Sequence, residues 1–493
     1  MKFSTTFLLM AAALINAVFS KTAEEWKSRS VYQIITDRFA RTDGDDTPCT
    51  DLTKYCGGTF KGIENNLDYI QGMGFDAIWI SPVVANTPDG YHGYWASDLY
   101  SINEKFGTPE ELKQLIDECH SRDIWIMVDV VANHMGYVDN FNFSNIIPFN
   151  DARYYNNYKS CDDIDFGYQP DVELCWLSGL PDLDQNNPYV RKTLIEWAKD
   201  FVRTYDIDAL RIDTVPHVAK SFWAEFTKEV GVYTIGEVLN FNLPYLASYQ
   251  GAVDGVLNYA LYSTLRYTFQ AGGSMDSIQH YYDGAHSTWA DISVLGNFIN
   301  NHDNPRFLAH SGNVAAFKSA LAFTLSSVGI PMVYYGDEQA YGGGQDPLNR
   351  EPLWTNMNSD SEIYGFLKTI NEFRKETKYW AMDQTQRYSD ASFYAFTRGQ
   401  YFFAFTNSLD YQSRSISYHN YPEGTVLCNI LFQGDCVEVK NGEFPVVLLN
   451  GETKIFVPMF NDKQADAEKE SQWDGIAMAI GSSAFTGARS MGF

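Results

Sequence analysis

The chain has 493 residues and a formal net charge of −26 at pH 7. Such a negative charge repels phosphate backbones, so it argues against nucleic acid as a partner and favours an uncharged substrate with a cation cofactor. The length exceeds one ordinary domain and fits an α/β barrel with an appended domain. Aromatic residues form 15% of the chain, which suits core packing and also stacking on sugar rings.

The N-terminal segment has the features of a secretory signal peptide. Lys2 precedes an apolar run at 7–13, and Val18 and Ser20 follow it, so we expect cleavage after Ser20. No other run approaches the roughly 20 apolar residues of a membrane span. The sequence therefore predicts a secreted, extracellular protein without a membrane span.

Seven cysteines in a secreted chain predict disulfide bonds and one cysteine left over. Three pairs lie close in sequence in loop-like or hairpin-like surroundings, and we pair them locally: Cys49/Cys56, Cys161/Cys175 and Cys428/Cys436. Cys119 falls on a predicted helix and is expected to be a buried free thiol. Asn142, in Asn-Phe-Ser, is the only glycosylation sequon.

Short apolar strands alternate with amphipathic helices over the first two thirds of the chain. The predicted strands are 31–36, 77–80, 124–131, 209–213, 232–237, 255–258, 295–299 and 332–335, and the helices between them include 63–73, 109–120, 188–204 and 313–328. Eight strand–helix repeats predict a closed parallel (β/α)8 barrel of the α/β class. A doubly wound open sheet is the alternative, but no Gly-rich phosphate loop follows the first strand.

Two intervals depart from this alternation within the predicted barrel domain at 21–378. The long connection after the third strand exceeds an ordinary loop, so we predict a small inserted domain at 135–187. Short β runs at 393–396, 402–406, 413–417, 426–430, 436–439, 446–449 and 454–457 predict a C-terminal antiparallel β-sandwich at 379–460. Residues 461–493 are charged and then Gly/Ala/Ser-rich, which predicts a disordered tail.

Charged residues collect where the predicted strands end, which is where functional groups gather in a parallel barrel. Arg211 and Asp213 share one face of the fourth strand, and taken alone they could form a structural ion pair. The third, fifth and seventh strands end in Asn133 and His134, in Glu237, and in His302 and Asp303. Convergence of four strand ends favours a functional site over packing.

Three carboxylates around an uncharged substrate suit cleavage of a glycosidic bond. One ionised carboxylate attacks the anomeric carbon and one acid protonates the leaving oxygen, with the two groups about 5–5.5 Å apart in retaining enzymes. Adjacent strands can place Asp213 and Glu237 at that spacing. The charge of Arg211 would hold Asp213 ionised at neutral pH.

These residues lie in motifs that resemble the α-amylase family of glycoside hydrolases, and among them the secreted fungal enzymes. The motifs follow the family's order between 26 and 458: Tyr91-His92-Gly93-Tyr94-Trp95, Asp129-Val130-Val131-Ala132-Asn133-His134, Leu180-Pro181-Asp182-Leu183-Asp184, Leu210-Arg211-Ile212-Asp213, Gly236-Glu237-Val238, Asn301-His302-Asp303, Gly336-Asp337-Glu338-Gln339 and Asp346-Pro347-Leu348-Asn349-Arg350. The resemblance implies endo-hydrolysis of 1,4-α-glucosidic bonds in starch- or glycogen-type α-glucans by a retaining double displacement.

The resemblance also implies a role for each matching residue. Asp213 would be the nucleophile, Glu237 the general acid/base and Asp303 the carboxylate that stabilises the transition state. The implied substrate-binding residues are Tyr94, Trp95, His134, Arg211, His217, His302, Asp346 and Arg350. A Ca²⁺ site is implied as well, with side-chain ligands from Asn133 and Asp182 and backbone carbonyls from Glu173 and His217, and hard oxygen ligands suit that ion.

Two positions differ from the fungal pattern on the side where the leaving sugar or incoming water binds. Pro216 stands where the family commonly has Lys, and Asn240-Phe241 stands where it often has Asp-Gly. We expect weaker hydrogen bonding and more apolar contact there. This keeps open a 4-α-glucanotransferase acting on cell-wall α-glucan, and an inactive glucan-binding relative is a second alternative.

We expect a monomer that binds a polysaccharide or oligosaccharide. The end of the chain raises the alternative of a glycolipid anchor at the cell surface, because residues after 474 are small and mildly apolar. Such a signal needs a longer apolar tail, and Arg489 argues against it.

Overall fold

The structure, a computed structural model, describes residues 21–459. The predicted signal peptide at 1–20 and the predicted tail at 461–493 lie outside the described residues. Among residues 21–459, no helix combines the length and the apolar character needed to cross a membrane.

Eight parallel strands form the central sheet. They are β1 (Val31–Ile34), β2 (Ala77–Ile80), β3 (Trp125–Val130), β4 (Ala209–Ile212), β5 (Tyr233–Gly236), β6 (Gly255–Val256), β7 (Gly296–Asn297) and β8 (Ile330–Tyr334). All their residues are buried, because a parallel sheet is covered on both faces. A parallel bridge between Leu257 and Gly296 joins β6 to β7. This closure confirms the barrel and rules out the open sheet.

Helices surround the barrel and connect its strands. In chain order the described α-helices are Ala23–Trp26, Thr36–Phe39, Phe60–Asn65, Leu67–Gly72, Pro109–Ser121, Gln169–Val172, Pro188–Tyr205, Lys220–Val230, Leu243–Ala247, Tyr259–Leu265, Asp276–Thr288, Leu308–Ser311, Val314–Ser326 and Glu362–Thr377. Thr108 caps Pro109–Ser121 through a capping box with Glu111.

Three details of the predicted elements are wrong. The single predicted helix 63–73 is two helices that meet at Asn66, whose side-chain amide donates to the Gly62 carbonyl (2.8 Å) and competes with helix continuation. The predicted strand 255–258 ends at Val256, because Asn258 is the N-cap of Tyr259–Leu265 and its side chain accepts from the Leu261 N–H. Likewise, predicted strand 295–299 pairs only over Gly296–Asn297.

The long connection between β3 and Pro188–Tyr205 contains little regular structure. It holds the short helix Gln169–Val172 and several 3₁₀ turns. Stacking of Phe143 on Tyr155, with ring centroids 4.2 Å apart, and the Cys161–Cys175 disulfide stabilise it. An antiparallel bridge between His134 and Asp182 holds its end against the barrel, so this segment forms one wall above β3 and β4.

The C-terminal part is antiparallel, as predicted. One sheet has six strands in the spatial order Gln384–Ser389, Phe393–Arg398, Tyr401–Thr406, Lys454–Met459, Val426–Asn429 and Cys436–Glu438, and Gln412–Ile416 pairs with Phe444–Leu448 in a second sheet. Gln384–Ser389 was not predicted, because its residues are mostly half-buried and polar. The hairpin Val84–Asn86 with Ala96–Ile102 was also not predicted.

All three predicted disulfides are present. The remaining cysteine, Cys119, is a buried free thiol, as predicted. The bonded pairs are Cys49–Cys56, Cys161–Cys175 and Cys428–Cys436.

Cys56 lies in a loop, as predicted, but its side chain is buried. Cys56 lies outside helices and strands, yet it is buried with the core residues at 5% exposure, whereas its partner Cys49 is half-buried. The physical reason is Asp37, a buried carboxylate whose Oδ2 accepts from the Cys56 N–H (2.7 Å) and holds this backbone against the barrel. The disulfide therefore ties the loop around Cys49 to a buried anchor at Cys56.

Candidate active site

The register of the central strands brings the predicted charged residues together. Asp129 on β3 lies opposite Arg211 on β4, and Ile212 lies opposite Gly236 on β5. Asp213 and Glu237 follow those two residues directly, so they leave neighbouring strands at the same level. The Glu237 N–H also donates to the Ile212 carbonyl (2.8 Å).

Arg211 is fully buried and contacts three carboxylates at once. Its Nη1 lies 2.9 Å from Asp129 Oδ1 and 2.8 Å from Asp213 Oδ1, and its Nη2 lies 3.3 Å from Glu237 Oε2. The Arg–Asp pair considered from the sequence is therefore part of a four-residue cluster at the mouth of the barrel. A simple structural ion pair does not describe it.

The cluster carries more negative than positive charge. Burial raises the pKa of Asp213 well above its ordinary value, and neighbouring carboxylates add to this, while the charge of Arg211 lowers it. Burial also raises the pKa of Asp129 to about 6. The predicted effect of Arg211 on Asp213 is therefore one of two opposing effects, because burial and the neighbouring carboxylates act against it.

Tyr94 and His302 form a hydrogen-bonded layer beside the cluster. The Tyr94 hydroxyl donates to Asp129 Oδ2 (2.8 Å) and lies 2.7 Å from His302 Nε2, while the Gln33 side-chain amide donates to His302 Nδ1 (2.7 Å). This pattern assigns the histidine proton to Nε2. Burial lowers the pKa of His302 well below its ordinary value, so the ring is neutral.

Asp303 lies beside His302 (Oδ2 to Nε2, 3.4 Å) and near Arg350 and Asp346. Arg350 Nη2 lies 3.6 Å from Asp303 Oδ1, and Nη1 lies 3.2 Å from Asp346 Oδ1. The Asp303 side chain is 31% exposed, unlike the buried cluster carboxylates. Asp303 therefore presents a carboxylate to anything that enters the opening.

These groups surround a cavity of about 560 Å³. All predicted catalytic and substrate-binding residues line it except Arg211, which lies beneath: Tyr94, Trp95, His134, Asp213, His217, Glu237, His302, Asp303, Asp346 and Arg350. A space of this size with converging polar groups is typical of a small-molecule or oligosaccharide site.

Apolar side chains form another side of the same cavity. We call Phe166, Pro216, Leu239 and Tyr245 the apolar wall. Phe166 comes from the inserted segment, Pro216 and Leu239 follow β4 and β5, and Tyr245 lies on Leu243–Ala247. The predicted apolar character near Pro216 is thus present, and Leu239, Phe166 and Tyr245 contribute to it.

Several residues of the site were not predicted. Gln33 orients His302, Trp79 Nε1 donates to Asp129 Oδ2 (3.2 Å), and the Thr214 N–H donates to Glu237 Oε2 (3.1 Å). Gln33 and Trp79 lie on predicted strands, so strand alternation was an available signal for them. Phe166 lies in an irregular loop, where no periodicity indicated its direction.

Oxygen atoms converge near the base of the inserted segment. One terminal atom of the Asn133 amide lies 3.0 Å from both Asp182 Oδ1 and the His217 carbonyl oxygen, and the other lies 3.2 Å from His134 Nδ1. With the amide nitrogen donating to His134, three oxygens face one another without a donor. Burial raises the pKa of Asp182 well above its ordinary value. This arrangement fits a hard cation such as Ca²⁺.

Glu173 shows contacts of a different kind. Its side-chain Oε1 accepts from Gln169 Nε2 (3.0 Å), so the predicted role of its carbonyl as a cation ligand stays a prediction. The nearby Cys175 Sγ lies 3.9 Å from His217 Nδ1. Because Cys175 is bonded to Cys161, this pair does not supply thiolate ligands for a metal.

Comparison with known proteins places the chain among enzymes of this architecture. The family model "Alpha amylase, catalytic domain" matches residues 33–420. An α-amylase of Saccharomycopsis fibuligera is 39% identical over 88% of this chain and 92% of its own length. α-Amylase 1 of Lipomyces kononenkoae is 42% identical over 76% of this chain, which spans 63% of that relative's length.

A solved structure shows the same relationship in three dimensions. An α-amylase from Malbranchea cinnamomea superposes with a TM-score of 0.85 at 38% identity, and the match covers 89% of this chain and 97% of that one. The similarity therefore includes the inserted segment and the C-terminal sheets as well as the barrel.

Proposed function

Since the chain belongs to the α-amylase family of glycoside hydrolases, we propose that it hydrolyses internal 1,4-α-glucosidic bonds in starch- or glycogen-type glucans. The observation that carries this proposal is the placement of Asp213 and Glu237 on one guanidinium at the floor of the cavity. Glycoside cleavage with retention requires two adjacent carboxyl groups, one acting as nucleophile and one as acid.

In the proposed first step, Asp213 attacks the anomeric carbon while Glu237 protonates the leaving oxygen. Glu237 acts as the acid in this step, and Arg211 stabilises the Asp213 carboxylate. In the second step Glu237 takes a proton from water, whose oxygen bonds to the anomeric carbon as the ester to Asp213 breaks. Two displacements at the anomeric carbon leave the product with the anomeric configuration of the substrate.

The other cavity residues bind and orient the sugar. Asp303 accepts hydrogen bonds from sugar hydroxyls and, through its charge, stabilises the positive charge of the transition state. His302 lines the cavity and holds the Tyr94 hydroxyl oxygen through its Nε2–H, and Tyr94 offers a ring face for stacking. Trp95, His134, His217, Asp346 and Arg350 line the remaining polar surface of the cavity.

We further propose that Ca²⁺ occupies the oxygen cluster. Asn133, Asp182 and the His217 carbonyl would hold the ion, with Glu173 as a further carbonyl ligand. Among residues 21–459, the side chain that donates to the buried Asp182 carboxylate is the neutral amide of Asn156, so a bound cation would supply the positive charge. It would also tie the inserted segment to the barrel beside the cavity.

The disulfides and fungal relatives support secretion after removal of residues 1–20. Asn142 is exposed, and its side chain accepts from the Ser144 N–H (3.1 Å), so the sequon is available for glycosylation. The proposed partner is an α-glucan polysaccharide or oligosaccharide bound by a monomer.

A time course on soluble starch tests the proposal. The chain should release reducing oligosaccharides of intermediate length early. Asp213→Asn and Glu237→Gln should each lower the rate at least about a thousandfold while leaving starch affinity measurable. Asp200→Asn and Glu225→Gln, at exposed positions on outer helices, are matched controls. Starch binding without cleavage by the unaltered chain would instead support the inactive glucan-binding alternative.

The apolar wall favours a second candidate function, transfer to a glucan acceptor. Pro216 offers no N–H and no charge where water or an acceptor sugar would bind, which reduces stabilisation of water there. Incubation with concentrated maltooligosaccharides should then give products longer than the substrate. If only shorter products form, the 4-α-glucanotransferase alternative is wrong.

A further inference from the structure

The apolar wall lies on the leaving-group side of the catalytic pair. Leu239 follows Glu237 by two residues, and Pro216 follows Asp213 by three. Because Glu237 protonates the leaving oxygen in the proposed mechanism, surfaces beside it contact the leaving group and then whatever replaces it. The wall is continuous with the cavity that holds both carboxylates. Its chemistry therefore bears on the choice of acceptor.

The polar atoms of the wall itself, the Pro216 carbonyl and the Tyr245 hydroxyl, are engaged within the protein. Gln169 Nε2 donates to the Pro216 carbonyl (2.9 Å), and Gln169 Oε1 accepts from the Tyr245 hydroxyl (2.8 Å). Asn240 Oδ1 accepts from the Asn242 N–H (2.8 Å). These bonds also fix the inserted segment against the loops after β4 and β5. What the wall offers to a ligand is mainly carbon.

Two members of the wall are unusually open for large apolar side chains. Phe166 is 61% exposed and Leu239 is 57% exposed. The apolar face of a sugar ring would remove some carbon surface from water here. An aryl group would remove more, since it has no hydroxyl groups whose hydrogen bonds to water are lost.

From these observations we propose that the cleft accepts glucosides carrying an apolar aglycone, such as an aryl group, as glycosyl acceptors. This inference rests on the proposed function, because it uses the same covalent intermediate. A sugar hydroxyl oxygen of the acceptor bonds to the anomeric carbon, the ester bond to Asp213 breaks, and the hydroxyl proton passes to Glu237. The apolar wall contacts the aglycone and holds the acceptor against water.

The test compares two acceptors that share one sugar and one anomeric configuration. Maltotetraose serves as donor, and methyl α-glucoside or 4-nitrophenyl α-glucoside is added at equal concentration. Chromatography measures the ratio of transfer product to hydrolysis product. We expect this ratio to be about tenfold higher for the 4-nitrophenyl acceptor, and Phe166→Ser and Leu239→Ser should each bring it towards the methyl value.

Matched controls are available on exposed positions in the C-terminal part. Phe432 is 71% exposed and Leu409 is 57% exposed, so Phe432→Ser and Leu409→Ser should leave the ratio unchanged. Equal transfer to both acceptors by an enzyme that cleaves maltotetraose would overturn this inference and leave the proposed function intact. Failure to cleave maltotetraose would overturn both.

Discussion

At the residue scale, Arg211 supplies the positive charge of the site. Its buried guanidinium contacts Asp129, Asp213 and Glu237. The planar group directs its N–H bonds to several carboxylates at fixed angles, whereas a lysine ammonium is a single point charge on a flexible stem. The electrostatic environment of both proposed catalytic groups therefore depends on the guanidinium shape as well as on its charge.

Arg211→Lys should accordingly lower kcat by about a hundredfold or more, since it misplaces charge in the transition state, and it should shift the pH profile of kcat/KM. Arg191→Lys, at the partly exposed pair with Glu225, is the matched control. The measurement is the initial rate of maltoheptaose cleavage between pH 4 and 9. An unchanged pH profile in Arg211→Lys would contradict the proposal that the charge of Arg211 stabilises the ionised form of Asp213.

Asp337 gives a second prediction at this scale. Its Oδ1 accepts from Asn300 Nδ2 (2.7 Å) and from Arg306 Nη1 (3.3 Å). Burial raises its pKa to about 7, although the charge of Arg306 lowers it. A carboxyl with a raised pKa stabilises the folded state below its unfolded pKa near 3.8, and that contribution is lost as the pH rises through about 7.

Asp337→Asn keeps the Oδ1 acceptor and removes the titration. Its Tm relative to the unaltered chain should therefore rise steadily between pH 4 and pH 7, by a few degrees in total. Asp360→Asn, at an exposed position, is the control and should show no such trend. Thermal unfolding at fixed Ca²⁺ checks this, and a constant difference across the pH range would refute it.

The catalytic residues could be predicted because they occupy ordered motifs at strand ends, where side-chain direction follows from alternation. The protonation of Asp213 could not be predicted from Arg211 alone, since it depends on the burial of groups from three strands. Gln33 and Phe166 were missed for different reasons. Gln33 acts through His302, which lies 269 positions away in sequence, and Phe166 lies in a loop without periodicity.

At the element scale, the eight barrel strands could be predicted because they lie in short, mostly apolar segments, although residues such as Gln33 and Arg211 interrupt them. Their lengths were less predictable, since side chains such as Asn258 end a strand by capping the next helix. The strand Gln384–Ser389 has mixed polarity and lies at a sheet edge, so no alternation indicated it. This segment is a strand because it pairs with Phe393–Arg398, a contact that its own sequence does not indicate.

The inserted segment depends on links to the barrel rather than on regular structure. We predict that Ca²⁺ raises the Tm of the unaltered chain, since a ligand that binds only the folded state stabilises it. Asp182→Asn removes the carboxylate charge of the oxygen cluster and should lower Ca²⁺ affinity at least tenfold. The change in Tm over a calcium titration measures this.

Asp184→Asn is the matched control, because Asp184 is only half-buried and its Oδ1 accepts from the Asn186 N–H. The control should keep the calcium dependence of the unaltered chain. Equal calcium dependence in Asp182→Asn would place the ion elsewhere.

At the scale of the whole molecule, the barrel and the larger C-terminal sheet share one hydrophobic core, and a second core lies between that sheet and the smaller one. Phe323, on Val314–Ser326, packs against Phe396 and Phe405 of the larger C-terminal sheet, with ring centroids 5.7 Å and 5.1 Å apart. It also lies 6.3 Å from Phe269 on the barrel side. A shared aromatic core couples the unfolding of the two parts.

Calorimetry of the protein should therefore show one unfolding transition that includes both the barrel and the C-terminal sheets. Phe323→Ala should destabilise it by about 3–5 kcal/mol, through lost burial and the cavity left behind, and should lower that single Tm. Phe432→Ala, at an exposed position, serves as control. Two separate transitions, only one of them shifted in Phe323→Ala, would show that the two parts unfold independently.

The central claim is that Asp213 and Glu237 cleave the glucan by two successive displacements. The anomeric configuration of the first-formed product tests it most directly, measured by proton NMR in the first minutes of maltopentaose cleavage before mutarotation. The account predicts that the new reducing ends appear as the α-anomer and then equilibrate. Initial appearance of the β-anomer would contradict it, because a single displacement by water inverts the configuration.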